Sequence, residues 1–333
     1  MMSKKKILSV VLSAVLLALF FTSSGYAQEK PEGFPSRPIE VVVVGGPGGG
    51  SDVFSRTISL RARRYLKNPL VVFNKPGGGG AVAAQYVLSK PADGHTILAG
   101  ALVSLVEAPL LGMVDYTYAD WQPLIRAQYD TMMLVGLPDG KFKNVQEVIS
   151  DAKARPGQQT WGVVGTATGF NAIVANQFTE AIGIDVKLVP FERAGKQHAA
   201  LLGKHLDLIL EEPGPIGGLL MANKMKSLLI FAEESIKEFP GVPTTKDLGA
   251  KAYMGLFRGM ALKNGTPKPI VDYLHANFKR SMDYKLYKEF ERSNWLHLRP
   301  GYLGPDDFDA FLKEQVDIYT REFKRLGVYK PKK

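Results

Sequence analysis

The chain has 333 residues, with 42 Lys and Arg against 32 Asp and Glu and a formal net charge of +10. Cysteine is absent, which excludes a disulfide framework, a thiol nucleophile, a thiolate metal site and a lipid carried on an N-terminal cysteine. The basic excess is moderate and scattered apart from a Lys/Arg-rich tail, with no basic run interleaved with aromatics. That pattern points away from nucleic acid and suits a small anionic ligand.

The first residues read as an export address. Lys4, Lys5 and Lys6 precede an apolar run over 7–21 that only Ser9 and Ser13 interrupt, and Gly25 and Ala27 supply small residues for a signal peptidase. Residues 1–27 are therefore expected to be a signal peptide cleaved after Ala27. The run is short for a bilayer span of roughly 20 residues, and no basic stop-transfer cluster follows it. Loss of its three lysines lowers the formal net charge from +10 to +7. The remaining chain is long enough for two ordinary domains and has no second long apolar stretch, so a soluble periplasmic monomer is expected.

After the leader, short apolar runs alternate with helical patterns. Residues 39–44 form a continuous apolar strand, as in a sheet covered on both faces. A helix follows over 51–66, with Phe54, Ile58, Ala62 and Tyr65 at helical spacing. A strand at 70–73, a helix at 81–88 and a strand at 96–98 come next. The second half repeats the theme: a strand at 160–164, a helix marked by Phe170, Ile173, Val174, Phe178 and Ala181, and strands at 186–189, 206–210 and 227–231. Two long helices close the chain. One starts at Thr266-Pro267, a capping residue followed by proline at the first helical position; the other spans about 305–326.

Strand–helix–strand repetition implies an α/β architecture with mostly parallel sheets. Residues 131–137 and 254–262 read as crossovers between two lobes. The expected division is a discontinuous first lobe, 34–130 plus 256–333, and a second lobe, 131–255. Such lobes, joined by crossover strands, would be hinged.

The most informative stretch is Gly45-Gly46-Pro47-Gly48-Gly49-Gly50-Ser51-Asp52, between a buried strand and a helix. Glycines let the backbone approach a ligand, and the following helix start offers unpaired N–H groups and a positive dipole end that attract a carboxylate or phosphate. The plain alternative is a tight turn with Ser51 as helix cap. A phosphate loop would need Gly-Lys-Ser/Thr where this chain has Gly-Ser-Asp. A dinucleotide site would need an acid near the end of the second strand, which instead reads Phe73-Asn74-Lys75. No cofactor is therefore expected. A second cluster, Gly77-Gly78-Gly79-Gly80, and a third loop, Gly165-Thr166-Ala167-Thr168-Gly169, follow strands in the same way. Loops at the carboxyl ends of parallel strands can face one crevice.

Catalytic patterns are weak. The chain has no G-x-S-x-G elbow and no H-E-x-x-H pair, and its five histidines are scattered without metal-ligand spacing. Glu211 and Glu212 are adjacent and point in different directions, so joint acid–base work is not expected of them.

These loops carry a resemblance. Pro35-Ser36-Arg37-Pro38-Ile39, the loop ending Gly50-Ser51-Asp52, Asn74-Lys75-Pro76-Gly77-Gly78-Gly79-Gly80 and Pro91-Ala92-Asp93-Gly94-His95-Thr96 are similar to segments of the Bug receptors. Those are the periplasmic solute-binding proteins of tripartite tricarboxylate transporters. Val189-Pro190-Phe191, Leu201-Leu202-Gly203 with Asp207, Pro240-Gly241-Val242-Pro243-Thr244-Thr245 and Gly265-Thr266-Pro267 continue the resemblance in order along nearly the whole chain.

The resemblance implies a two-lobed periplasmic binding protein of type II-like fold, no enzymatic activity, a small organic anion held between the lobes, and delivery to integral membrane transporter subunits. It places a carboxylate on Gly48, Gly49, Ser51 and Asp52, with Gly79 and Gly80 nearby and Gly165, Thr166 and Thr168 closing from the second lobe. The chain departs from the family pattern at Val163, at Asn171-Ala172 and at Phe191-Glu192-Arg193. Arg193 at that turn could read a second carboxylate, with Phe191 beside it and Glu211 or Glu212 on the pocket wall; all three charges could equally be solvated loop residues. The rival class is an exported hydrolase acting on small organic acids, which would need a nucleophile and a base converging in the cleft.

Overall fold

The computed structural model describes residues 29–330; the expected leader lies outside the described residues. Among these, ten strands build two five-stranded sheets. The first, in the order β2-β1-β3-β10-β4, uses β1 (Ile39–Val43), β2 (Leu70–Asn74), β3 (Thr96–Ala101), β4 (Trp121–Tyr129) and β10 (Phe257–Lys263). The second, in the order β7-β6-β8-β5-β9, uses β5 (Met132–Gly136), β6 (Thr160–Val164), β7 (Lys187–Phe191), β8 (Leu208–Glu211) and β9 (Lys226–Phe231). The chain passes from the first sheet to the second between Tyr129 and Met132 and returns between Phe231 and Phe257.

Each sheet is mixed. β1 runs parallel to β2 and β3, and β6 runs parallel to β7 and β8. β10 is antiparallel to both its neighbours, as is β5 in its own sheet. These are the strands that enter each sheet from the other lobe, so no right-handed crossover helix dictates their direction. Pro123 and Pro190 sit in β4 and β7, the edge strands, where a missing N–H costs no ladder bond.

Helices cover both faces of the first sheet. Ile39 and Val41 of β1 pack with Phe54 and Ile58 of α1 (Gly50–Leu66) and Leu274 and Phe278 of α8 (Lys268–Met282). Val42 turns to the opposite face, with Ala84 of α2 (Ala81–Leu88), Leu105 of α3 (Ser104–Leu110) and Leu312 and Tyr319 of α10 (Pro305–Arg325). Burial of alternate residues on two apolar faces is why this strand reads as an unbroken apolar run.

The second sheet is layered likewise. Trp161, Leu134 and Phe231 pack with Val148 of α4 (Val145–Ala154) and Phe178 of α5 (Phe170–Ile182). Met133 and Ile209 face Leu201 of α6 (Ala194–Leu202) and Ile216 of α7 (Pro213–Met221). Gln197 of α6 donates to the carbonyls of Gly162 and Leu210 at 2.9 Å each, pinning that helix to β6 and β8.

The helix expected at Thr266-Pro267 begins one residue later, at Lys268, with Pro267 in the capping position. Thr266 instead donates its hydroxyl to the Lys263 carbonyl at 2.8 Å, closing the turn after β10. A short amphipathic helix, α9 (Lys285–Ser293), follows α8. None of the helices among the described residues is long and apolar enough to cross a membrane.

Candidate ligand-binding cleft

The glycine loop after β1 folds around the first turn of α1. Asp52, 5% exposed, accepts from the Gly48 N–H at 2.9 Å, from Arg56 Nε at 2.8 Å and from Asn74 Nδ2 at 2.9 Å. Although burial opposes it, these donors hold the Asp52 carboxyl below the usual carboxylate range. The Ser51 hydroxyl accepts from the Ala101 N–H at 3.0 Å and ties the helix start to the end of β3. Gly100, at φ +126°, permits this: a Cβ there would lie 2.7 Å from the Ser51 Cβ. Gly49 caps α1 in an extended conformation without a side-chain cap. The first-turn N–H groups have no acceptor within their own helix, so they are the groups that an anion would meet.

Beyond that helix start lies a cavity of about 230 Å³ between the two sheets. Gly48, Gly50 and Val53 form its wall on the first lobe, and the segment Glu212-Pro213-Gly214-Pro215 at the start of α7 forms the wall on the second. Its floor comes from the chain crossings: Gln128, Asp130 and Thr131 around the end of β4, and Arg258 on β10. Phe290, Asn294 and Trp295, at and after the end of α9, close one side. Trp295, stacked on Phe239 with ring centroids 5.3 Å apart, brings this first-lobe segment against the second lobe.

Arg258 organises the floor. Its guanidinium makes a charge-assisted hydrogen bond to Asp130 Oδ2, and Nη2 lies 4.0 Å from Glu212 Oε2. It also lies against the start of α1, where a Cβ on Gly50 would come within 2.9 Å of Nη2 and would displace the guanidinium. Among the described residues, the charged groups lining the cavity are thus two acids and one cation. Burial, then the proximity of Asp130 and of Glu211, push the Glu212 carboxyl up to about 8 against the pull of Arg258.

The site residues expected from the sequence fall in different places. Gly48 lines the cavity; Gly49, Ser51 and Asp52 build the helix start beside it. Gly79 and Gly80 form a tight turn into α2, with Gly80 packed against Ser104. In the second-lobe loop, Gly165 and Thr166 are exposed and Thr168 is half-buried, with the two threonine hydroxyls 3.4 Å apart. Phe191 packs partly buried beside Leu201 and Ile209. Arg193 is exposed at the cap of α6, outside the cavity lining. Glu211 is buried but turned to His198, with Oε2 2.6 Å from Nε2; its neighbour Glu212 is the one that faces the cavity.

Motif reasoning misses Gln128, Asp130 and Arg258, although the sequence carries a signal for two of them. Arg258 is the one charge in the otherwise apolar segment 254–262, and Asp130 closely precedes the apolar run of β5. A charge inside a buried crossover strand needs a partner; that partner, and the cavity between, come only from the pairing of β10 with β4.

Known proteins of this shape fit the geometry. The chain is 29% identical to a UPF0065 protein of Cupriavidus necator over 91% of this chain and 92% of that one. A solved TctC solute-binding protein from Polaromonas is 27% identical, superposes with a TM-score of 0.76, and is covered over 99% of its length by 88% of this chain. A Rhodopseudomonas palustris protein described with bound malate, 23% identical with a TM-score of 0.71 over 87% of this chain and 99% of that one, shares the fold. Residues 54–327 match the model of the tripartite tricarboxylate transporter family receptor, and the chain belongs to that family.

Proposed function

We propose that this receptor captures a small organic carboxylate in the interlobe cavity, outside the cytoplasmic membrane, and presents it to the integral membrane subunits of a tripartite transporter. The observation that carries the reading is the juxtaposition of the α1 start, on one wall of an interlobe cavity, with the Arg258 guanidinium on its floor. Unpaired first-turn N–H groups, the helix dipole and a guanidinium together favour an anion. The malate bound by a protein of the same fold agrees with that class of ligand. Support for a receptor over a hydrolase comes from the match of residues 54–327 to a receptor family. Export as a monomer, with cleavage after Ala27, belongs to the same proposal and rests on the leader sequence.

The test is a thermal-shift and calorimetric screen of the mature chain against mono-, di- and tricarboxylates. A ligand that binds only the folded state, present at about 100 times its Kd, stabilises it by about 2.7 kcal/mol, so a true ligand raises the melting temperature progressively with its concentration. Absence of binding and of any shift across the carboxylates would overturn the reading.

A further inference from the structure

The cavity is not uniformly suited to anions. Its lining offers donors, the start of α1 and Arg258, whose buried Nε has no hydrogen-bond partner among the described residues. Acceptors stand directly beside Arg258. Asp130 is 6% exposed, and its Oδ1 is buried without a partner among the described residues although Oδ2 is paired with Arg258. Thr131, 3% exposed, adds a buried hydroxyl likewise unpartnered among them, and Glu212 adds a second carboxyl group. One guanidinium neutralises only one of the two acids when both are ionised, and unpartnered buried polar atoms are costly unless a ligand supplies the missing group.

We propose that the cleft selects a small zwitterion: a carboxylate that also carries a protonated amine, its carboxylate on the start of α1 and Arg258, its ammonium between Asp130 Oδ1, Thr131 Oγ1 and Glu212. This rests on the carboxylate reading above and narrows it. The ammonium sets a second cation beside the two lining acids, offsetting the charge of the ligand's own carboxylate and favouring the ionised form of Glu212. It also supplies donors to the two acceptors left unpartnered among the described residues, Asp130 Oδ1 and Thr131 Oγ1, and a third to Glu212. A plain diacid brings a second negative charge to the same place, where only a proton on Glu212 would relieve the repulsion.

Calorimetry on the full mature chain with matched pairs decides the matter: propionate against alanine, succinate against aspartate, glutarate against glutamate. The expected result is that within at least one pair the amino acid binds about tenfold or more tightly, the size of one charge-assisted hydrogen bond gained. Glu212→Gln should weaken the amino acid by about tenfold or more while leaving the plain acid unchanged or tighter, because glutamine resembles the protonated carboxyl. Thr131→Val, a near-isosteric change that keeps the buried charges, should reduce the same preference and serves if Glu212→Gln does not fold. Equal or tighter binding of every plain acid, or equal loss for both members of a pair in Glu212→Gln, would overturn the proposal while leaving the carboxylate reading intact. If no acid of either kind binds the folded protein, the carboxylate reading fails and this proposal with it.

Discussion

Arg258 and Asp130 meet where the chain crosses between the lobes: Asp130 follows the last residue of β4, Arg258 is the second residue of β10, and their side chains form a buried ion pair on the floor of the cavity. The Asp130 N–H also donates to the Leu256 carbonyl at 2.7 Å, so the two crossings are bound together at the same level by backbone and side chain.

Breaking that pair from one side leaves uncompensated charge. Arg258→Met removes the only cation lining the cavity among the described residues and strands Asp130 beside Glu212. Removal of one partner of a buried pair costs about 3–5 kcal/mol. Urea unfolding should show a loss of that order, and adding Asp130→Asn to the variant should recover part of it. A loss below about 1 kcal/mol, the range of exposed pairs, would mean that the pair is not desolvated in solution.

The helix start is tested at Gly49, whose extended backbone accepts a side chain without clash closer than 3.3 Å. Gly49→Asp places a negative charge on the N–H groups that the carboxylate is expected to use. With charge-assisted hydrogen bonds at about 1.5–3 kcal/mol each, affinity should fall on the order of ten- to a hundredfold, while the melting temperature without ligand changes little. Unchanged affinity in the folded variant would move the carboxylate elsewhere in the cleft.

Stability should fall as pH rises, through a residue remote from the cavity. Glu107 on α3 is packed against Tyr319 of α10 with Oε1 sealed from solvent, and burial pushes its carboxyl up to about 8 from an ordinary 4.5. As pH rises, the unfolded chain therefore loses this proton first. The contribution of Glu107 is most favourable below pH 4.5 and is lost progressively as pH rises to about 8. A tenfold change in a protonation equilibrium corresponds to about 1.4 kcal/mol, so Glu107→Gln should gain on the order of 2 kcal/mol relative to the parent between about pH 5 and pH 8 after the site relaxes. Parallel stability–pH curves for the two proteins would contradict this placement of the carboxyl.

Trp295 offers an optical report on the cleft. Of the three tryptophans, Trp121 and Trp161 are buried in sheet cores, whereas Trp295 lines the cavity. Binding should change the intrinsic fluorescence, and Trp295→Phe should abolish the change while preserving the stacking on Phe239. A ligand-dependent signal that survives in the variant would assign it to movement of the cores instead.

If the lobes hinge at their crossings, closure should be visible as a smaller radius of gyration in solution scattering when a tight ligand is added. An unchanged radius, with binding confirmed by calorimetry, would indicate a preformed rigid cleft.

Local elements and their order are legible along the chain. The apolar run of β1, the helical spacing of Phe54 and Ile58 and the glycine loop between them are short-range signals, because burial on two sheet faces and one helix stripe imposes them residue by residue. They place the start of α1 next to Gly50 and the reversal points of the chain within a few residues. The chemistry of the cavity floor has no such local signature. Arg258 and Asp130 are 128 positions apart, and their meeting depends on the antiparallel pairing of β10 with β4. The placing of Glu211 and Glu212 follows likewise: successive residues of an extended chain point to opposite sides, so Glu211 turns to His198 and Glu212 to the cavity. Arg193, though close in sequence to the second-lobe loops, is exposed at a helix cap on the edge-strand side. Charges can be read from a sequence, but which of them lose water together is fixed by which strands become neighbours.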